Sequence, residues 1–253
     1  MPPKTSPDSP AGSTFVFLHY FGGSAQSWRW VTDRMPTSRC IALDLPGFGG
    51  RPALETPSLS AYGQSVLRDL ERFAVTDYIL VGHSMGGKLA LQVAIQSDRP
   101  PQQLVLVAPS PPTQEPMPES EKTRLLENHP SLENAATTVK NATHRPLSPD
   151  QQSLALETHQ VVEASAWRWW LREGMNHSLA ESAAQLSLPI TVLASQDDPV
   201  IPATRLRQDI EQYLPQAKAY FIAGVGHLIP LEAPDWVAHH LQIVAEAAWA
   251  DSS

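Results

Sequence analysis

The segment Gly82-His83-Ser84-Met85-Gly86 lies between the apolar run Tyr78-Ile79-Leu80-Val81 and the helix-like run Lys88-Leu89-Ala90-Leu91-Gln92-Val93-Ala94. A Gly-x-Ser-x-Gly at a strand-to-helix turn is a nucleophile elbow. The tight turn strains the serine backbone, and the glycines let strand and helix approach without side-chain clashes. Ser84 Oγ is thereby pushed out above the sheet. A serine hydroxyl at its free pKa is a weak nucleophile, so it needs a base within hydrogen-bond reach, and that base needs an orienting acid. Both residue types occur downstream. Ser195-Gln196-Asp197-Asp198-Pro199-Val200-Ile201-Pro202 places two carboxylates after an apolar run, and Ala223-Gly224-Val225-Gly226-His227 places a histidine in a glycine-lined loop. Serine, then aspartate, then histidine is the chain order that such an elbow uses. Near the N-terminus, His19-Tyr20-Phe21-Gly22-Gly23-Ser24 follows an apolar run and opens a helix, so it offers free backbone N–H groups to developing negative charge. The backbone N–H groups of Phe21 and Met85 are the natural oxyanion pair.

These residues must be positioned by regular elements, and the apolar pattern supplies them. Phe15 to His19, Cys40 to Leu45, Tyr78 to Val81, Gln103 to Val107, Ile190 to Ala194 and Ala217 to Ile222 read as strands. Near-continuous apolar strands separated by helices predict a parallel sheet covered on both faces. Helical spacing runs over Ala25 to Arg34, Ala61 to Phe73, Met85 to Ser97, Thr204 to Tyr213 and Pro234 to Trp249, with Ser60 as N-cap of the second and Pro234 in the first turn of the last. The candidate acid and base thus follow the fifth and sixth strands, at the strand ends where parallel α/β sheets gather functional groups.

From Pro111 to about Ser187 the alternation stops. No strand is expected there; helical pieces around Glu119 to Glu127, Pro149 to Glu163 and Ala166 to Gly174 predict a helical cap inserted after the fourth strand. The expected organisation is a tail over 1–14 lying outside the fold, an α/β core over 15–110 and 188–253, and a cap over 111–187. The cap carries Trp167-Arg168-Trp169-Trp170, the densest aromatic cluster of the chain. These indoles either pack the cap on the core or line a substrate pocket. Together with Met117 and Met175 they predict a mainly apolar pocket, with Tyr20, Trp167, Trp170 and Leu228 as its candidate walls.

With 253 residues, 42% hydrophobic and 17% charged, the chain suits one α/β fold. The formal charge of −8 has no compensating basic stripe, which argues against nucleic acid or an anionic membrane surface as a partner. The first fourteen residues lack the apolar core of a secretory signal, and no apolar run reaches membrane-spanning length. A cytoplasmic protein, monomeric or homodimeric, is expected. The one cysteine, Cys40, reads as a buried strand thiol, and adjacent His239 and His240 point to different faces of a helix and cannot share a metal.

The set His19-Tyr20-Phe21-Gly22-Gly23, Asp44-Leu45-Pro46-Gly47-Phe48-Gly49, Gly82-His83-Ser84-Met85-Gly86-Gly87, Asp198-Pro199-Val200-Ile201-Pro202 and Gly226-His227 resembles the α/β-hydrolase superfamily, in particular its compact bacterial serine esterase-like members. The resemblance implies Ser84 as nucleophile, His227 as base and then acid, and Asp198 as the group that holds the imidazole. Asp198 is preferred to Asp197 because it directly precedes the Pro-Val pair. His83 and His19 are expected to pack beside and brace the oxyanion loop. The implied activity is cleavage of small to medium acyl or aryl esters through an acyl-enzyme, with no metal or organic cofactor. Carbon–carbon bond hydrolysis, lactone opening and cofactor-free haloperoxidation share the same triad, and a non-enzymatic small-molecule receptor is the alternative of another class. Tyr20 departs from the pattern by standing where the loop usually has glycine. The first strand begins too early for the antiparallel hairpin that commonly opens this fold, so six strands are expected, with Cys40 to Leu45 at an edge.

Overall fold

The computed structural model describes residues 13–250. Residues 1–12, most of the expected tail, lie outside the described residues, as does any cover that the tail provides for the sheet edge. Strand β1 (Thr14–Leu18) is followed by a 3-10 turn over Ala25–Trp28 and helix α1 (Arg29–Thr32), then by β2 (Arg39–Leu43) and α2 (Leu59–Arg72). Next come β3 (Ile79–His83), α3 (Met85–Gln96) and β4 (Gln103–Val107). Five helices then run without a strand: α4 (Glu119–Glu127), α5 (Leu132–Ala142), α6 (Pro149–Gln160), α7 (Ala164–Arg172) and α8 (Ala180–Ala183). Strand β5 (Ile190–Ser195), α9 (Ala203–Tyr213), β6 (Lys218–Ile222), α10 (Ile229–Glu232) and α11 (Pro234–Ala250) complete the order.

The six strands form one parallel sheet in the order β2-β1-β3-β4-β5-β6. This is the α/β-hydrolase arrangement, without an opening hairpin among the described residues. Alternating side chains separate two apolar layers. Val16, Leu18, Leu80, Leu104 and Val192 face α2, α3 and α9, whereas Phe15, Phe17, Ile79, Val81 and Val105 face Trp28, α1 and α11. The chain leaves β1 toward one edge and crosses back to β3, so the strand order reverses between β1 and β3. Ligands of open α/β sheets bind outside the carboxyl ends of the strands at such a switch point. The loop after β1 and the elbow after β3 flank it.

The expected strands lie within two residues of the observed ones, and β2 is an edge strand. Helix α2, however, is capped by Ser58, whose side chain accepts from Ala61 N, and Ser60 sits inside the helix. The hydroxyl that can reach the third helical N–H defines the cap, and Ser58 stands at that distance. Helix α5 was not expected; Ser131 caps it by accepting from Asn134 N, and its sequence Leu-Glu-Asn-Ala-Ala-Thr-Thr-Val carries only a thin apolar stripe. Cys40 is half-buried on the edge strand.

Candidate active site

Ser84 occupies φ 54° and ψ −118°, a conformation that costs a non-glycine residue about 1–3 kcal/mol and persists only where its neighbours enforce it. They do so from β4 and the chain after it. Ser84 N donates to Val107 O at 3.0 Å, and Ser84 O accepts from Ser110 N at 3.0 Å and Gly87 N at 2.8 Å. A β-carbon on Gly82 would collide with the Gly86 carbonyl, and one on Gly86 with the Leu18 carbonyl, so both positions of the elbow require glycine. The turn delivers Ser84 Oγ to 2.8 Å from His227 Nε2.

His227 and Asp198 complete a continuous chain of hydrogen bonds. Asp198 Oδ1 accepts from Val200 N at 2.8 Å and Ile201 N at 2.9 Å, which leaves Oδ2 to accept from His227 Nδ1 at 2.8 Å. Nδ1 therefore carries the proton and Nε2 is free to accept from Ser84. Asp197 is turned away: it is exposed, and its Oδ2 accepts from Gly224 N at 2.6 Å, bracing the histidine loop. Burial acts on the His227 imidazole to lower its pKa, but the charge and hydrogen bond of Asp198, with the charges of Glu115 and Glu232, outweigh it and leave the pKa raised.

His83 is fully enclosed, and burial, with His227 and His19 nearby, holds its pKa well below the usual value. Being neutral, it donates from Nε2 to His227 O at 2.9 Å and fixes the backbone of His227. His19 is held neutral by burial, at about 4; it accepts from Leu45 N through Nε2 at 3.2 Å and donates from Nδ1 to Tyr20 O at 2.8 Å. The loop it braces turns through Gly22 at φ 90°, whereas Tyr20 keeps an ordinary negative φ that a β-carbon tolerates. The N–H groups of Phe21 and Met85 find no acceptor among the described residues.

The serine and histidine open into a cavity of about 350 Å³. Of the candidate walls, Tyr20, Trp170 and Leu228 line it, as do Phe21, Met117 and Val139. Trp167 does not. Its ring stacks on Phe21 at 4.1 Å and on His129 at 4.2 Å, and its Nε1 donates to Leu125 O, which fixes it behind the wall. Trp169 likewise packs on Tyr62 of α2 at 4.7 Å. The cluster thus divides by helical position: Trp167 and Trp169 hold the helical segment to the sheet layer and Trp170 meets the cavity.

Two polar wall residues carry no sequence signal. Glu115 is 6% exposed, with Oε2 unpartnered, and His159 is 2% exposed, with both ring nitrogens unpartnered and its pKa lowered to about 4, first by burial. A single glutamate in Thr113-Gln114-Glu115-Pro116 and a single histidine in α6 fit no spacing rule, and only the path of the segment between β4 and β5 brings them to the site.

No helix among the described residues is long and apolar enough to cross a membrane. Residues 15–240 match the profile of the alpha/beta hydrolase family. The chain is 26% identical, over 91% of its length and 93% of the other's, to the pimeloyl-[acyl-carrier protein] methyl ester esterase of Vibrio vulnificus. It is 36% identical over 81 residues to the 2-succinyl-6-hydroxy-2,4-cyclohexadiene-1-carboxylate synthase of Klebsiella pneumoniae, a match that spans 32% of each chain. Among solved structures, an esterase (EaEST) from Exiguobacterium antarcticum superimposes with a TM-score of 0.85, at 15% identity, over 93% of this chain and 92% of that one. Sheet order, elbow and sequence match agree, and the chain belongs to the alpha/beta hydrolase family.

Proposed function

We propose that this hydrolase cleaves carboxylic esters through an acyl-enzyme on Ser84. The observation that carries the reading is the unbroken relay from Asp198 Oδ2 through His227 to Ser84 Oγ, with 2.8 Å at both links. In this reading His227 Nε2 takes the Ser84 proton as Oγ attacks the ester carbonyl. The carbonyl oxygen becomes negatively charged between the Phe21 and Met85 N–H groups, each donor contributing about 3 kcal/mol of transition-state stabilisation. The imidazolium, steadied by Asp198, then protonates the departing alkoxide and the acyl group stays on Ser84. Water enters, His227 takes its proton, and collapse of the second tetrahedral species returns the acid and the free serine. Tyr20, Phe21, Trp170, Met117 and Leu228 give the cavity apolar walls suited to small and medium acyl or aryl groups.

The relative from Vibrio vulnificus, an esterase by name, supports the same bond type. Hydrolysis of p-nitrophenyl butyrate by the wild-type chain and its loss by about three orders of magnitude or more in Ser84→Ala are the expected results. Full activity in that variant, or failure of a fluorophosphonate probe to label Ser84, overturns the reading.

A further inference from the structure

The cavity wall holds one carboxyl that takes no part in the hydrogen-bonded relay of Ser84, His227 and Asp198. Glu115 follows β4 by eight residues, lines the same cavity as Ser84 and His227, and is more than nine-tenths buried. Its backbone is fixed, since Glu115 N donates to Met175 O at 2.9 Å. No basic side chain pairs with it: Oε2 meets no donor in good hydrogen-bond geometry among the described residues, and the neutral Ser110 hydroxyl is the side-chain donor that lies close enough to act on the carboxyl. Lys88, whose charge acts on Glu115, gives its ammonium protons to the carbonyls of Thr113, Met175 and His177 and forms no ion pair with it among the described residues.

The remaining wall strengthens the contrast. Glu121 also lines the cavity, but Arg124 holds both of its carboxylate oxygens. No lysine or arginine is a wall residue, and the rings of Tyr20, Phe21 and Trp170 are. Burial pushes the Glu115 carboxyl above the ordinary carboxylate range, so its ionisation carries a cost that a positive charge beside it would offset. A neutral hydroxyl would satisfy one lone pair and leave that cost in place. A protonated amine meets both needs, and the aromatic walls favour a cation further.

We propose that Glu115 is a specificity-determining residue and that the ester taken by this site carries a protonated amine seated against its carboxylate, an inference that rests on the ester-hydrolase reading above. Two pairs of isosteric esters test it near neutral pH, one for each side of the ester bond. They are 2-(dimethylamino)ethyl butyrate against 3-methylbutyl butyrate, and ethyl 4-(dimethylamino)butyrate against ethyl 5-methylhexanoate. In the wild-type chain the ammonium ester of at least one pair is expected to exceed its neutral partner in kcat/KM by about tenfold or more, the value of a buried charged hydrogen bond, and Glu115→Gln is expected to abolish most of that ratio. Ratios in both pairs that are the same in wild type and Glu115→Gln overturn the proposal, because the intrinsic reactivity of the esters cancels in that comparison. Binding to Ser84→Ala, followed by calorimetry, needs neither turnover nor a folded Glu115 variant. Tighter binding of an ammonium ester than of its isostere supports the proposal, and equal or weaker binding in both pairs overturns it. Loss of all turnover by the wild-type chain would instead strike the ester-hydrolase reading and leave the calorimetric comparison standing.

Discussion

His227 takes its protonation state from burial and from groups on three separate segments. Burial favours the neutral ring, while Asp198 after β5, Glu115 after β4 and Glu232 on α10 favour the imidazolium and prevail. The base of the proposed mechanism must be neutral to accept the Ser84 proton, so kcat/KM for p-nitrophenyl butyrate is expected to fall as pH falls through the His227 pKa. The half-point of that acid limb should lie above the ordinary value of about 6.5. A limb centred below it would contradict the balance of charges described here. Asp197 and Asp198 are chemically alike and adjacent, yet one braces a loop and the other holds the base. The residue pattern around Ser84, Asp198 and His227 could be read from sequence because each follows a strand end within a short, glycine- or proline-marked loop. Glu115 and His159 could not be read, because their place at the cavity depends on how a long segment between two strands folds back.

Among the elements, α3 links the elbow to the helical segment that follows β4. It begins beside Ser84, and one turn later Lys88, fully buried, donates from Nζ to Thr113 O at 2.8 Å, Met175 O at 3.1 Å and His177 O at 2.9 Å. Three carbonyls converge on one cation, and Met175 O alone of them also accepts a backbone N–H, that of Glu115. Replacement Lys88→Met leaves them without that donor and is expected to lower stability by about 2–4 kcal/mol, read from urea unfolding. Burial brings the Lys88 pKa down from 10.5 to about 8, so unfolding takes up a proton between those values. Stability from this residue therefore rises with pH through that window, and Lys88→Met should flatten the rise. On α7, Trp169→Ala removes the stack on Tyr62 and is expected to cost about 3–5 kcal/mol, with little effect on chemistry at Ser84 if the helix stays in place. The six strands were legible because buried parallel strands are short, nearly continuous apolar runs. Helices α5 and α10 were not, since a polar stripe and a four-residue turn fall below what apolar spacing can mark.

At the scale of the whole molecule, the crossing point between β1 and β3 gathers the loop of Phe21, the elbow of Ser84 and, from β5 and β6, the acid and the base. Parallel pairing with fixed register makes this convergence independent of surface residues, which explains why a parallel sheet and its functional end could be anticipated from the apolar runs and the loops that follow them. The apolar segments implied a mainly apolar cavity, and the carboxyls of Glu115 and Glu121 stand in its wall as well. A count of aromatic and methionine residues cannot anticipate one inward-turned carboxyl in a proline-rich stretch.

The clamp on Lys88 has a further meaning for how such a protein can change. Thr113 O and His177 O contact the same ammonium, so the long segment between them starts and ends at one point, no wider than those two bonds together. A stretch closed in this way is topologically a cassette. Its interior can be lengthened, shortened or replaced by another helical piece without asking the sheet to span a new gap, while Ser84 keeps its hold on Val107 and Ser110 upstream of the junction. A new substrate preference can therefore arise within the cassette while the elbow and its relay stay where they are.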